Sequence, residues 1–149
     1  MPKKVRPIPK GYHSVSPSLT QANAAETIAF CKKAFGAKVL SKLTGAAGKI
    51  MHAEVLIGDS IIMLSDAVRD PAQAASLFLY VENVDKTFAK AVKAGATVVF
   101  PVQDMFWGDR FGNVRDPQGN SWGIATHRED VDPRELKKRA AAFAKRMAG

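Results

Sequence analysis

The sequence predicts an α+β fold, in which two βαβββ modules stand in tandem and a C-terminal helix follows them. The first observation is an internal repeat, because AFGAKVLSKL matches KAGATVVFPV and GDSIIMLS matches GNSWGIAT. A repeat is stronger evidence of architecture than any single motif. The second observation is that a strand, a helix and three strands occur twice, over about residues 12–66 and 75–127. We therefore expect one domain, residues 1–149, whose two curved mixed sheets enclose a groove.

The elements of the first module follow from apolar spacing and stop signals. HSVSPSLT alternates as a strand does, and ANAAETIAFCKKAFGA has helical spacing with Asn23 as N-cap and Gly36 as C-terminal stop. KVLSKLT predicts a strand, and the apolar runs on both sides of Gly58-Asp59 predict a hairpin. Cys31 is the single cysteine and is expected to be a packed residue of the helix.

The second module restarts the same order. SLFLYVE predicts a strand, NVDKTFAKAVKAGA a helix with Val84, Phe88 and Val92 on its apolar face, and TVVFPVQ another strand. MFWGDRFGNVRD and NSWGIAT are expected to form a hairpin around the turn tetrapeptide DPQG. The last helix, about residues 133–147, begins after the N-cap Asp132.

The net charge of +8 is concentrated at the two ends of the chain, and the body between them is close to neutral. Basic tails on a neutral body are more typical of solubilising segments than of a nucleic-acid-binding surface. No apolar run approaches the roughly 20 residues that span a bilayer, and no signal peptide is visible. We expect a cytoplasmic protein without nucleic-acid or membrane partners. A scaffold or regulatory role for the tails is a weaker alternative.

The segment KIMHAEVLIGDSIIMLSD contains the first candidate site. His52 and Glu54 share one strand face because side chains alternate, and a two-residue turn would place Glu54 opposite Met63. An apolar set on the other face suits the helix side: Ala53, Val55, Ile62 and Leu64. His52 and Glu54 would then face the groove, but the repeat match leaves the opposite assignment open, in which the apolar set faces the groove. Two interpretations stay open, namely a proton-transfer or ligand-anchoring pair and an ordinary polar pair on a sheet.

The segment FWGDRFG contains the second candidate site. The indole of Trp107 and the guanidinium of Arg110 suit a planar anionic or aromatic ligand. Counting across the turn places Arg110 on the same strand face as Gly123. The alternatives are that Trp107 is structural and that Arg110 pairs with Asp104 or Asp109.

This layout resembles the vicinal oxygen chelate superfamily, which includes glyoxalase I, bleomycin resistance proteins and extradiol dioxygenases. The similarity is carried by ETIAFCKKAFGAK, YVENVDKTFAKAVKAGATVVFPV and DRFGNVRDPQGNSWGIAT. MHAEVLIGDSIIMLSD, FWGDRFG and THREDV are most similar to the branch called PhnB-like. The resemblance implies a homodimer, since many relatives pair sheets across subunits. It implies less about function, because one fold hosts many chemistries.

Relatives that use a metal take His, Gln or Glu ligands from the first and last strands of each module. Carried over to this chain, those positions fall near Ser16, at Ile62 or Met63, near Ser76 and at Gly123. None of these side chains is a good ligand for a divalent ion. The resemblance therefore implies that the usual metal site is absent here.

The expected function is that of a metal-free small-molecule-binding protein, whose groove is lined by His52, Glu54, Trp107 and Arg110. The alternative is a metal-dependent lyase, isomerase or dioxygenase with a relocated ligand set that includes His52 and Glu54. Whether the chain catalyses a reaction is left open by the sequence.

Overall fold

The computed structural model describes all 149 residues and divides into two compact units. The first unit consists of Met1–Ala75 and Pro117–Gly119, and the second of Ser76–Asp116 and Asn120–Gly149. Each unit contains one four-stranded mixed sheet, with the order β1-β4-β3-β2 in the first and β5-β8-β7-β6 in the second. The two orders are equivalent, so the predicted tandem of βαβββ modules is confirmed.

The first unit follows the predicted element order. Its elements are β1 (Ser18–Gln21), α1 (Ala24–Phe35), β2 (Lys38–Thr44), a short 3-10 turn (Ala46–Gly48), β3 (Ile50–Ile57) and β4 (Ser60–Asp66). The side chain of Asn23 accepts a hydrogen bond from the Glu26 amide, which caps α1. Gly36 ends the helix with a φ of 65°, a left-handed conformation that glycine adopts without strain.

The two faces of the first sheet differ in polarity. Glu54 lies opposite Met63, as the two-residue turn predicts. One face is buried and apolar, and α1 packs on this sheet against β1, β3 and β4. That face carries Leu19, Ala53, Val55, Ile57, Ile62 and Leu64. His52 and Glu54 therefore lie on the other face, which no helix covers and which we call the open face of the sheet.

The second unit repeats this arrangement and adds the last helix. Its elements are β5 (Ser76–Tyr80), α2 (Val84–Lys93), β6 (Thr97–Asp104), β7 (Asp109–Arg115), β8 (Ser121–His127) and α3 (Pro133–Ala148). A Cβ at Gly112 would lie 2.7 Å from the Phe88 ring, so the glycine lets α2 approach β7 closely. Val84 and Ala91 of α2 are buried, whereas Val92 is 40% exposed. Val92 was predicted to lie on the apolar face of this helix, and its exposure shows that the prediction is wrong for this residue.

The loop between β7 and β8 sets the register of the second sheet. Arg115 lies opposite Ser121, and the Asp116 amide donates to the Asn120 carbonyl at 2.9 Å. Three residues therefore form the loop, and its last residue, Gly119, has a φ of 87°. A two-residue turn would shift the pairing by one residue, and such a shift moves every side chain to the opposite face.

The helix α3 is held to the second unit without burying any residue completely. Asp132 accepts a hydrogen bond from the Arg134 amide and Pro133 occupies the first turn, as predicted. Arg139 donates to the Phe106 carbonyl at 3.3 Å, and the Phe143 ring lies 5.0 Å from the Phe106 ring. No helix in the chain has both the length and the apolar character needed to cross a bilayer.

Candidate functional site

Three polar side chains meet on the open face of the first sheet. The Tyr12 hydroxyl donates to Oε1 of Glu54, and Nε2 of His52 lies 3.8 Å from the same oxygen. Burial and the bond to Glu54 raise the pKa of Tyr12 to about 12, so the phenol stays a donor at neutral pH. The side chains of His52 and Glu54 are 40% and 28% exposed. The structure thus brings the predicted pair together and leaves it accessible, and its ligand-binding role stays a prediction.

The open face of the second sheet ends in a hydrogen-bonded cluster around Asp109, whose side chain is 1% exposed. Its Oδ2 accepts from the Tyr80 hydroxyl at 2.9 Å and from Nε1 of Trp107 at 2.8 Å. Its Oδ1 lies 2.7 Å from Nδ1 of His127, and Nε2 of His127 lies 2.7 Å from Asp130. Both oxygens of the buried carboxylate are therefore satisfied, which removes most of the cost of burying it.

The electrostatics of the Asp109 cluster follow from these bonds. Burial alone would raise the pKa of Asp109, but the hydrogen bonds from His127, Trp107 and Tyr80 outweigh burial and lower it. The bond to Asp109, helped by burial, raises the pKa of Tyr80. The bonds to Asp130 and to Asp109 raise the pKa of His127. The cluster is thus a carboxylate with three donors, which fixes the orientation of the Tyr80 and Trp107 rings.

Beside this cluster, two aromatic rings meet above Gly123. The rings of Phe78 and Phe111 stack with centroids 5.4 Å apart and planes only 6° from parallel. A Cβ at Gly123 would lie 2.9 Å from the Phe78 ring and 3.0 Å from the Phe111 ring. The absence of that Cβ therefore lets the two rings meet. Phe78 is 50% exposed and Tyr80 is 59% exposed, so a large aromatic surface faces solvent.

Further rings extend this pair across the sheet. The Tyr80 ring lies 5.1 Å from Phe78, and the rings of Trp107 and Phe100 each lie 5.9 Å from Phe111. We call these five side chains the aromatic face: Phe78, Tyr80, Phe100, Trp107 and Phe111. Trp107 was predicted as a ligand contact, and the structure places it here with its indole N–H held by Asp109.

Arg110 lies on the other side of the second sheet, toward α2. It is opposite Thr126, whose hydroxyl accepts a hydrogen bond from the first residue of α2. Its guanidinium is 2.9 Å from Asp85 of α2 and 3.2 Å from Asp104. The predicted position beside Gly123 is wrong, because the three-residue loop shifts the register by one. The alternative pairing with Asp104 is confirmed, and Arg110 is engaged on the helix side.

The positions at which relatives carry metal ligands hold no suitable donors here. Met63, and not Ile62, faces the open side of the first sheet, and Ser76 and Gly123 occupy the open side of the second. No group of three or more His, Cys, Asp or Glu side chains converges as a metal site would require. The residues present therefore do not fit the divalent ion that the fold family implies.

The aromatic face and the hydrogen-bonded cluster around Asp109 were not predicted from the sequence. One signal was available in SLFLY, where Leu77 and Leu79 alternate with Phe78 and Tyr80. Because both sets are apolar, the strand predicts two apolar faces, of which only one packs against a helix. Asp109 and its partner His127 are far apart in sequence, and they become neighbours only in the correct β7–β8 register.

Comparison with known proteins shows the family. The model of the Glyoxalase/Bleomycin resistance protein/Dioxygenase superfamily matches residues 13–124. The uncharacterized protein Mb0911c from Mycobacterium bovis is 35% identical over 136 residues, which cover 83% of this chain and 90% of that protein. Both findings extend through most of the two modules.

Solved structures show the same fold. TioX from Micromonospora sp. ML1 is similar with a TM-score of 0.65 and 26% identity, covering 76% of this chain and 99% of that one. The PhnB protein from Bacillus cereus is similar with a TM-score of 0.59 and 19% identity, covering 76% and 99%. Both structures share the fold of this chain over about three quarters of its length. The chain belongs to the Glyoxalase/Bleomycin resistance protein/Dioxygenase superfamily.

Proposed function

We propose that the protein binds a planar, apolar small molecule on the aromatic face of its second sheet, without a metal ion. The observation that carries the proposal is the parallel pair of Phe78 and Phe111 above Gly123, with Phe78 half exposed. Exposed aromatic patches of this kind are uncommon on soluble proteins unless they bind something. A planar ligand can extend the existing stack, since offset stacking is the geometry that aromatic rings prefer.

The Asp109 cluster supports the same proposal at one end of the aromatic face. It holds the Tyr80 and Trp107 side chains in place before a ligand arrives, which lowers the entropy lost on binding. The side chain of His127 is 48% exposed, and Asp109 and Asp130 hold its two ring nitrogens, so the orientation of this ring is fixed as well. A few fixed polar groups beside an apolar surface are typical of small-molecule sites.

Arg110 is not part of this proposal, because two aspartates already bind its guanidinium. His52 and Glu54 stay separate candidates for ligand contacts on the first sheet, since both are accessible and close together. The expected metal independence is supported by the donor set, in which no third acidic, histidine or cysteine side chain joins this pair.

Binding of a neutral planar fluorophore, 9-anthracenemethanol, tests the proposal. Phe78→Ala and Phe111→Ala should each weaken binding about tenfold, which corresponds to about 1.4 kcal/mol and is the size of one aromatic stacking contact. Leu40→Ala is the matched control, because Leu40 is an apolar residue of the first sheet with 51% exposure. Fluorescence titration gives the dissociation constants, and circular dichroism confirms that each variant is folded.

Two results would count against the proposal. One is unchanged binding in both phenylalanine variants, which would remove the aromatic face from the site. The other is an equal loss in Leu40→Ala, which would show general adsorption to exposed apolar surface.

A further inference from the structure

We propose a second binding site on this chain, between α3 and the turn that joins β6 to β7, for an apolar carboxylate such as a medium-chain fatty acid. A cavity of about 480 Å³ lies there. This volume is in the range of known small-molecule sites. The helix α3 begins at Pro133, beyond the residues 13–124 that the family model matches, so the helical wall of this site lies outside the matched region.

The wall of the cavity is apolar. The rings of Phe106 and Phe143 lie 5.0 Å apart, and Met105 and Met147 line the cavity beside them. Met147 is 72% exposed, although it lies on the helix face that points to the cavity. Methionine side chains are flexible and polarisable, so they adapt to an alkyl chain more readily than branched residues do. An apolar chain in the cavity would cover this exposed surface.

Two arginines of α3 also line the cavity, and they have different partners. Arg139 is fully engaged, with Glu129 at 2.8 Å, Glu135 at 3.2 Å and the Phe106 carbonyl at 3.3 Å. Arg139 therefore holds the helix against the turn. Arg146 lies two helical turns further on the same face, and it belongs to none of the ion pairs of the chain.

The chemistry of the ligand follows from this arrangement. An arginine without an acidic partner, beside an apolar wall, is complementary to a carboxylate at the end of an apolar body. One available guanidinium matches one negative charge. The Asp104 carboxylate also lines the cavity, where it is paired with Arg110. Its negative charge would repel a ligand that carries several negative charges. We therefore assign the site to a monoanion with a single head group.

Calorimetric titration with decanoate and with 1-decanol tests the assignment on the full chain at low concentration of each probe. Decanoate should bind about tenfold more tightly than decanol, because only the carboxylate can pair with Arg146. Arg146→Gln should remove this preference. Lys145→Gln is the matched control: it removes one positive charge from the neighbouring position, which is exposed and does not line the cavity.

Phe143→Ala should weaken both probes, because it removes part of the apolar wall, and circular dichroism shows whether α3 persists in this variant. Equal affinity for decanoate and decanol in the wild-type protein would overturn the proposal. So would an equal loss of decanoate affinity in Arg146→Gln and Lys145→Gln, since that result indicates general charge attraction. Absence of binding heat for decanoate at two well-separated temperatures would overturn it as well, because the heat-capacity change of apolar burial prevents the heat from vanishing at both. This result would not bear on the aromatic face.

Discussion

Among individual residues, Asp109 holds three side chains in place at one end of the open face of the second sheet. It is buried and charged, and such a group is tolerated only when donors surround it. Its three donors come from three places, namely the β5 residue Tyr80, the turn residue Trp107 and the β8 residue His127. A single carboxylate thereby joins the turn to two strands. His127 is the partner that gains a charge when it is protonated, so the cluster is tested through this residue.

The stability of the protein should depend on the protonation of His127. Its pKa in the folded protein is raised above the ordinary 6.5 by Asp130 and Asp109, so the folded state binds the proton more tightly than the unfolded state. The stabilisation by His127 is therefore complete below its ordinary pKa and is lost as the pH rises through the raised value. Urea unfolding of the wild-type protein and of His127→Gln, from pH 5.5 to pH 9, should show a difference that shrinks with increasing pH. A difference that is constant over this range would contradict the protonated pair.

At the scale of elements, the two hairpins show what a sequence can and cannot specify. The β3–β4 register was predictable, because Gly58-Asp59 forms a two-residue turn and the count back to Glu54 is then fixed. The predicted β7–β8 register was wrong, since DPQG suits a two-residue turn as well as the three-residue loop that the structure has. The deciding feature is the left-handed Gly119, which makes the loop one residue longer. That one residue moved Arg110 from the expected site to the helix side.

The position of α3 depends on the side chain of Arg139. Its planar guanidinium contacts Glu129 through two nitrogens and Glu135 through a third, which a lysine ammonium cannot reproduce. Arg139→Lys should therefore loosen the helix while keeping the charge. Hydrogen exchange measured by mass spectrometry should be several-fold faster in residues 133–148 and unchanged in α1 and α2.

The reverse substitution at the adjacent position, Lys138→Arg, is the control for this experiment, because Lys138 is exposed and lies outside the ion pairs. It should leave exchange in α3 unaltered. If Arg139→Lys also left exchange unaltered, the ring contact between Phe106 and Phe143 would be sufficient to hold the helix.

At the scale of the whole molecule, the internal sequence repeat was enough to predict the architecture of two equivalent modules. Two identical strand orders, each with a helix on one face, leave one open face on each sheet. The polarity of these faces differs, because one carries His52 and Glu54 and the other carries aromatic rings. Sequence repeats specify where strands lie and say little about which side chains converge, so the fold was predictable and most of the site was not. The groove between the modules and the homodimer stay predictions.

The purified protein should contain less than one equivalent of metal per chain and should keep its melting temperature in EDTA. The reason is that no set of three donors converges anywhere in the chain. The measurement is elemental analysis of protein prepared without chelators or metal-affinity resin, together with thermal unfolding. A content near one equivalent that disappears in His52→Ala would instead support a relocated ligand set.

The missing Cβ at Gly123 also limits which residues this position can accept. Relatives with a metal site are expected to hold the closing carboxylate at this position, whereas here Phe78 and Phe111 occupy the space that even one methyl group would need. A glutamate side chain at this position would meet both rings. The stacked pair therefore makes residue 123 a position that accepts no side chain without displacing an aromatic ring, which keeps a metal-binding carboxylate out of this strand as long as the pair is intact.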